Sequence, residues 1–224
     1  MSAEYNNENN TQEQELWERI STTEGIERAE VLDELSHIAY RRDDFNECLQ
    51  LVDTSIDIYF KLGMDSHIKE LIHAYEGKAF SLRNLGRHAE AADTFEEIAK
   101  LHQIDDDTNG YMKAIRAAAC DWYEVKEWQK CLDGHTAAKD SIDPDATPMS
   151  MGIDLLNIGM ALAKLEQHQA AIESHLSARK LFKEAKNPEY VNWADRYVTV
   201  SYAEIGNGPE AKFHAKHYFN YSKV

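Results

Sequence analysis

At 224 residues and 43% hydrophobic, the chain is long enough to bury a core, and its formal net charge of −16 sets the first exclusion. Nucleic-acid binding needs cations that neutralise phosphates, so nucleic acid is a poor partner for this composition. The three cysteines have no metal-ligand spacing, no apolar run approaches the ~20 residues of a membrane span, and the acidic, polar start is unlike a secretory leader. The expectation is a cytoplasmic protein with no cofactor and no membrane partner.

In chain order, residues 1–11, with Asn6-Asn7 and Asn9-Asn10, are predicted to be a disordered tail, and residues 12–224 a single helical-repeat domain. Trp17 marks a short leading helix, expected to cover the open face of the helices next to it. Beyond it, segments such as Ala89 to Leu101 and Ala170 to Phe182 place apolar residues three and four apart and are rich in good helix formers. Breakers fall between these segments: Gly63, Asp105 to Gly110, Asp143 to Pro148 and Asn187-Pro188, with Gly86 and Gly208-Pro209 punctuating hairpins inside the repeats. Pro209 suits a first helical turn, where its missing N–H costs least. No stretch alternates with period two over a strand's length. The fold class is all-α.

Five small residues suited to close helix crossings recur along the chain: Cys48, Ala91, Cys131, Ala171 and Ala211, separated by 43, 40, 40 and 40 residues. A fixed period of this size signals stacked supersecondary units that bury a core only together. Around the second anchor the chain reads Tyr75, Ala79, Leu82, Gly86, His88, Ala91, Phe95 and Ile98; around the fourth, Leu155, Gly159, Leu162, Ala171, His175 and Ala178. With the turns Leu85-Gly86-Arg87-His88 and Ile205-Gly206-Asn207-Gly208, this pattern resembles the tetratricopeptide repeat, a pair of antiparallel helices joined by a tight turn. The period exceeds that family's ~34 residues, so helices about one turn longer are expected. Longer-period arrays of this kind resemble those of kinesin light chains and of several bacterial peptide-sensing regulators. The resemblance implies a right-handed α-solenoid of about five helix pairs, over residues 24–62, 65–103, 108–141, 149–185 and 188–222.

Charge is uneven: residues 1–110 carry 25 acidic against 10 basic side chains, and residues 111–224 carry 15 against 14. An acidic half either docks a basic partner or keeps a surface-rich array soluble; an acidic mimic of nucleic acid that occupies a basic protein is a variant of the first reading.

In the family, the first helices of successive repeats line a concave groove. Carried over by alignment, the groove positions include Asp33, His37 and Arg41, then Glu76, Phe80, Arg83 and Asn84. Lys113, Arg116, Cys120, Tyr123 and Glu124 come next, then Leu156, Met160 and Lys164, and finally Trp193, Arg196 and Val200. The resemblance thus implies a cationic middle (Arg83, Lys113, Arg116) and an apolar far end (Leu156, Met160, Trp193, Val200), suited to a peptide carrying an acidic group beside hydrophobic anchors. The alternative is that Arg83 and Arg116 pair with Glu76 and Glu124. The family's carboxylate clamp, a lysine and an asparagine four apart, has no match, so a chaperone tail is not the expected ligand.

Residues Asp105-Asp106-Asp107-Thr108-Asn109-Gly110 match the first half of a calcium loop, with Asp105, Asp107 and Asn109 as ligands, but Lys113 and Arg116 stand where the later ligands belong. An acidic inter-repeat turn is the expected reading. His135 and His175 fall at packing positions, whereas His214 and His217 suggest a solvated surface pair. Cys120 lies one turn from Arg116, a neighbour that favours the thiolate, but the sequence indicates no base for it. The functional expectation is a non-enzymatic scaffold or regulator that binds a protein or peptide. The alternative is a structural component that self-assembles through a final repeat without a solvating helix. That edge predicts a homodimer, or a docked partner, burying Tyr218, Phe219 and Tyr221.

Overall fold

A computed structural model describes residues 12–141 and 146–221, the last five as backbone only. Every regular element among them is helical: α1 (12–20), α2 (Gly25–Arg41), α3 (Phe45–Leu62), α4 (Ile68–Asn84), α5 (His88–Ile104), α6 (Thr108–Glu124), α7 (Trp128–Asp140), α8 (Pro148–Lys164), α9 (His168–Glu184), α10 (Pro188–Glu204) and α11 (Gly208–Tyr221), with a 3-10 turn at Met64–Ser66. None of the described helices is long and apolar enough to cross a membrane. The chain divides into two compact units, residues 1–114 and 115–224.

Local chemistry starts these helices where the sequence expects. Asp44 caps α3 by accepting from the Glu47 N–H, and Asp107 accepts from the Gly110 N–H at 2.9 Å at the start of α6. Thr147 and Ser150 form a capping box ahead of Pro148, and Asn187 caps α10 ahead of Pro188. Seven helices, α2, α4, α5, α6, α8, α9 and α10, have the same length of 17 residues.

The turn inside each helix pair also repeats. Asp43, Gly86, Lys126, Glu166 and Gly206 all take positive φ, between 61° and 75°. In each case the next N–H reaches back five residues to a carbonyl, for example Arg87 to Leu82 and Gln167 to Leu162, both at 2.9 Å. This is the closing bond of a left-handed helix terminus. Glycine supplies that backbone freely at two positions; at the other three, side-chain-bearing residues adopt it at a cost of about 1–2 kcal/mol. Those three turns lack the glycine of the other two, yet the backbone there is the same.

In the first unit, consecutive helices from α2 to α5 pack on one another, and α2 also touches α4. Leu16 of α1 is buried with Val31, Leu32, Leu35 and Val52. The leading helix makes this contact through Leu16, while Trp17 itself is 42% exposed. In the second unit α7 to α11 pack in sequence, with α8 touching α10. Phe182 is fully buried among Leu156, Val191 and Ala194. The anchors Cys48, Ala91, Cys131 and Ala171 are each at most 1% exposed, and Ala211 is half-buried.

Gly159 marks a further close crossing, because a methyl group there would overlap the ring of His175. Gly159→Ala is expected to lower unfolding free energy by about 1–3 kcal/mol, measured by urea denaturation, since the buried ring has no room to retreat. Lys126→Gly and Glu166→Gly are expected to raise it by about 0.5–1 kcal/mol each, and Gly86→Ala to lower it by about 1–2 kcal/mol.

Candidate functional site

The first helices of the repeats line one cleft in each unit. In the first unit, α2 and α4 border a cleft of about 370 Å³ lined by His37, Tyr40, Arg41, His73, Glu76 and Phe80, among others. The His37 and His73 rings lie 4.7 Å apart. Burial and the charge of His73 and Arg41 hold His37 below its ordinary value, whereas the Glu76 hydrogen bond lifts His73 above it. Phe80 meets Phe95 edge-on at 5.5 Å, and the Arg83 guanidinium sits 4.7 Å from the Phe95 ring centre. Asn84 donates to the Phe80 carbonyl at 2.8 Å and to the Tyr40 hydroxyl at 3.1 Å. A wider cleft of about 600 Å³, bordered by α3, α4 and α5 and spanned by the Lys78–Asp53 ion pair, includes none of the predicted groove residues.

In the second unit, a cleft of about 310 Å³ gathers Tyr123, Met160, Lys164, Arg196 and Val200. These come from the predicted groove positions of three successive repeats. Ala163, His168, Tyr197, Ser201 and Glu204 complete the lining. Tyr123 is held edge-on by Trp128 at 4.9 Å, and the Lys164 ammonium lies 5.7 Å from the Trp128 ring. Tyr197 stacks on the buried His175 ring at 5.2 Å, so the wall of this cleft rests on the crossing that Gly159 permits. The cleft combines apolar floor residues with two exposed cations and one carboxylate, an arrangement able to receive an anionic group beside an apolar side chain.

Other predicted residues are placed differently. Lys113 is exposed on α6, and Trp193 is 50% exposed, stacked on Tyr190. Leu156 is 3% exposed and belongs to the core, because its position on α8 turns inward toward Phe182 and Ala178. Arg116, expected in a cationic groove or else paired with Glu124, makes a bidentate pair with Asp154 of α8, at 3.0 and 2.8 Å. Asp154 is itself fully buried and 3.3 Å from His135 Nδ1. Burial acts to raise its pKa, but the hydrogen bonds from His135 and Arg116 outweigh burial and hold it below the usual carboxylate value. The sequence carried a signal for this cluster, a single carboxylate inside the otherwise uncharged run from Pro148 to Ala163.

A second buried cluster sits at the other end of the same unit. Asp195 Oδ1 lies 2.7 Å from His214 Nδ1 and 2.8 Å from Arg179 Nε. His214 is therefore a core residue and not half of a solvated pair; the side chain of His217 lies outside the described residues, as do those of Tyr218, Phe219 and Tyr221. In the half calcium loop, Asp107 is engaged by the Gly110 N–H and, at 3.0 Å, by His102. Asp105, Asp107 and Asn109 thus frame a helix start. Among the described residues no group of three or more His, Cys, Asp or Glu is arranged to hold a metal.

Among the described residues His175 faces no carboxylate, unlike His135 and His214. Burial, opposed only by the Leu156 backbone, lowers its pKa to about 4. The unfolded chain takes up this proton near 6.5 and the folded chain does not, so stability present above pH ~6.5 is lost as pH falls toward 4. Between pH 7.5 and 5 the loss from this residue is about 2 kcal/mol. Urea midpoints at the two pH values should show it, and His175→Asn should remove most of it.

No protein-family model matches this chain, and no curated protein sequence matches it. Its fold has solved counterparts. BtubC (BKLC) from P. vanneervenii superposes with a TM-score of 0.70 at 12% identity, over 95% of this chain and 87% of that one. The signal-transduction ATPase (STAND) protein PH0952 from Pyrococcus horikoshii, which has a tetratricopeptide repeat sensor, gives 0.74 at 14% identity over 93% of this chain and 32% of its own. YrrB, described as a TPR protein with an unusual peptide-binding site, gives 0.64 at 14% identity, over 92% and 91%.

Proposed function

We propose that this chain, an all-α protein of the tetratricopeptide-repeat type, is a non-enzymatic cytoplasmic scaffold or regulator that binds a peptide segment of a protein partner. The observation that carries the reading is the second unit's cleft, where Tyr123, Met160, Lys164, Arg196 and Val200 converge from three repeats. Its chemistry selects a segment with Asp, Glu or a terminal carboxylate next to Leu, Met or Phe. Lys164 and Arg196 would receive the anion, Met160 and Val200 the apolar side chain, and Tyr123 and Tyr197 would flank the backbone. The likeness to a fold that includes a peptide-binding member supports the same reading.

Arg116 is a poor probe of this function. Arg116→Glu would set a second carboxylate against buried Asp154 and test folding instead, at a cost of about 3–5 kcal/mol. Lys164 and Arg196 are exposed and can be exchanged without that penalty. Selection from a peptide display library should return acidic–apolar sequences, and Lys164→Glu with Arg196→Glu should weaken the selected peptide at least tenfold by fluorescence anisotropy. A selection without that consensus, or binding indifferent to the double variant, would overturn the reading.

A self-assembling component is the second reading. Phe213 on α11 is 55% exposed and Ile205 just before it 44%, an apolar surface beside the helix that carries Tyr218 and Tyr221. Sedimentation of a clean monomer at micromolar concentration would remove it.

A further inference from the structure

A sulfur, an imidazole and a carboxylate line up across α6, α7 and α8. Cys120 lies on the exposed side of α6, and His135 Nε2 of α7 is 4.0 Å from its Sγ. The other ring nitrogen, Nδ1, is 3.3 Å from Asp154 Oδ1. A carboxylate on Nδ1 accepts the proton there, which leaves the lone pair of Nε2 facing the thiol. His135 is 2% exposed and Arg116 fixes Asp154 from the far side, so the imidazole is held in that tautomer and direction. The other two thiols differ. Cys131 is 1% exposed, and burial, with the neighbouring Cys120 charge, pushes its thiol up to about 12. Burial likewise raises Cys48. One thiol of three is therefore both accessible and next to an oriented base.

We infer that Cys120 is a nucleophilic thiol, activated by His135 with Asp154 as its positioning residue, and that a small hydroperoxide oxidises it to a sulfenic acid. His135 Nε2 takes the thiol proton. The thiolate sulfur then attacks one peroxide oxygen, forming the S–O bond as the O–O bond breaks. Sulfur is oxidised by two electrons and the peroxide is reduced. The departing oxide takes the proton back from His135, giving water or an alcohol and a neutral imidazole. A hydroperoxide suits this position better than a larger electrophile, since Cys120 lines none of the clefts described above. A small oxidant needs only the nucleophile and the returning proton. The charged and titratable groups near the sulfur include Arg116 and Glu124, each four residues away on its own helix, and Cys131 and His135 on α7, with Asp154 of α8 behind the His135 ring. The inference does not depend on the peptide-binding reading.

The full chain would be treated with hydrogen peroxide and dimedone, with adducts located by mass spectrometry, and its iodoacetamide alkylation rate followed against pH. The adduct is expected on Cys120 and not on Cys48 or Cys131, with oxidation at pH 7 at least tenfold faster than free cysteine. The alkylation midpoint of Cys120 is expected at least one pH unit below the ~8.5 of a free thiol. Folded His135→Gln and Asp154→Asn proteins should both return it toward that value. A wild-type midpoint at or above the free-thiol value, or oxidation no faster than free cysteine, overturns the proposal even if neither variant folds. An unshifted midpoint in folded variants overturns it as well.

Discussion

Two helices can cross closely only where a side chain at the crossing is small, and four such points, Cys48, Ala91, Cys131 and Ala171, are almost completely removed from solvent. Their spacing sets much else in the molecule. Helices that meet at a fixed point must enter and leave it with the same length and turn, which is why 17-residue helices and left-handed turns recur at the same interval. Where the partner is larger, the opposing residue shrinks to glycine, as at Gly159 against His175 and Gly152 against Phe182.

This regularity confines variation to the clefts and to buried polar positions. In the second unit, the cleft wall and the polar interior are physically linked: Tyr197 faces the cleft and stacks on His175 behind it. Tyr123 lies on the same helix as Cys120, three residues further on, so the thiol and the cleft share α6. A chemical event at His175 or at Cys120 therefore lies within one side chain or one helical turn of the proposed peptide site.

The fold was largely legible in the sequence because period, small-residue anchors and breakers are local properties of the chain. The turns at Asp43, Lys126 and Glu166 were less so, since non-glycine residues hold a backbone that composition does not advertise. The cleft was legible only in part. Family alignment found Tyr123, Met160 and Arg196 but also chose Leu156, because an alignment column does not say how far a helix has rotated. It chose Arg116 as well, because pairing with Asp154 spans 38 residues and no local pattern joins them. Cys120 had no visible base for the same reason: His135 reaches it from α7, backed in turn by Asp154 from α8.

The two units fill their interiors with different polar chemistry. In the first, the buried polar side chains along α2 to α5 are hydroxyls, Ser36, Ser55, Ser81 and Thr94, and three of them bond their own helix's carbonyls. In the second, carboxylates and imidazoles dominate, and Asp154 and Asp195 are each shared between an arginine and a histidine. A hydroxyl satisfied within its own helix leaves no partner stranded when it is replaced, so drift there proceeds one residue at a time. An ion shared between three helices leaves a buried charge behind when any member changes. Among descendants of this sequence, the first unit should therefore accumulate independent substitutions, while Arg116, His135 and Asp154 persist or vanish together.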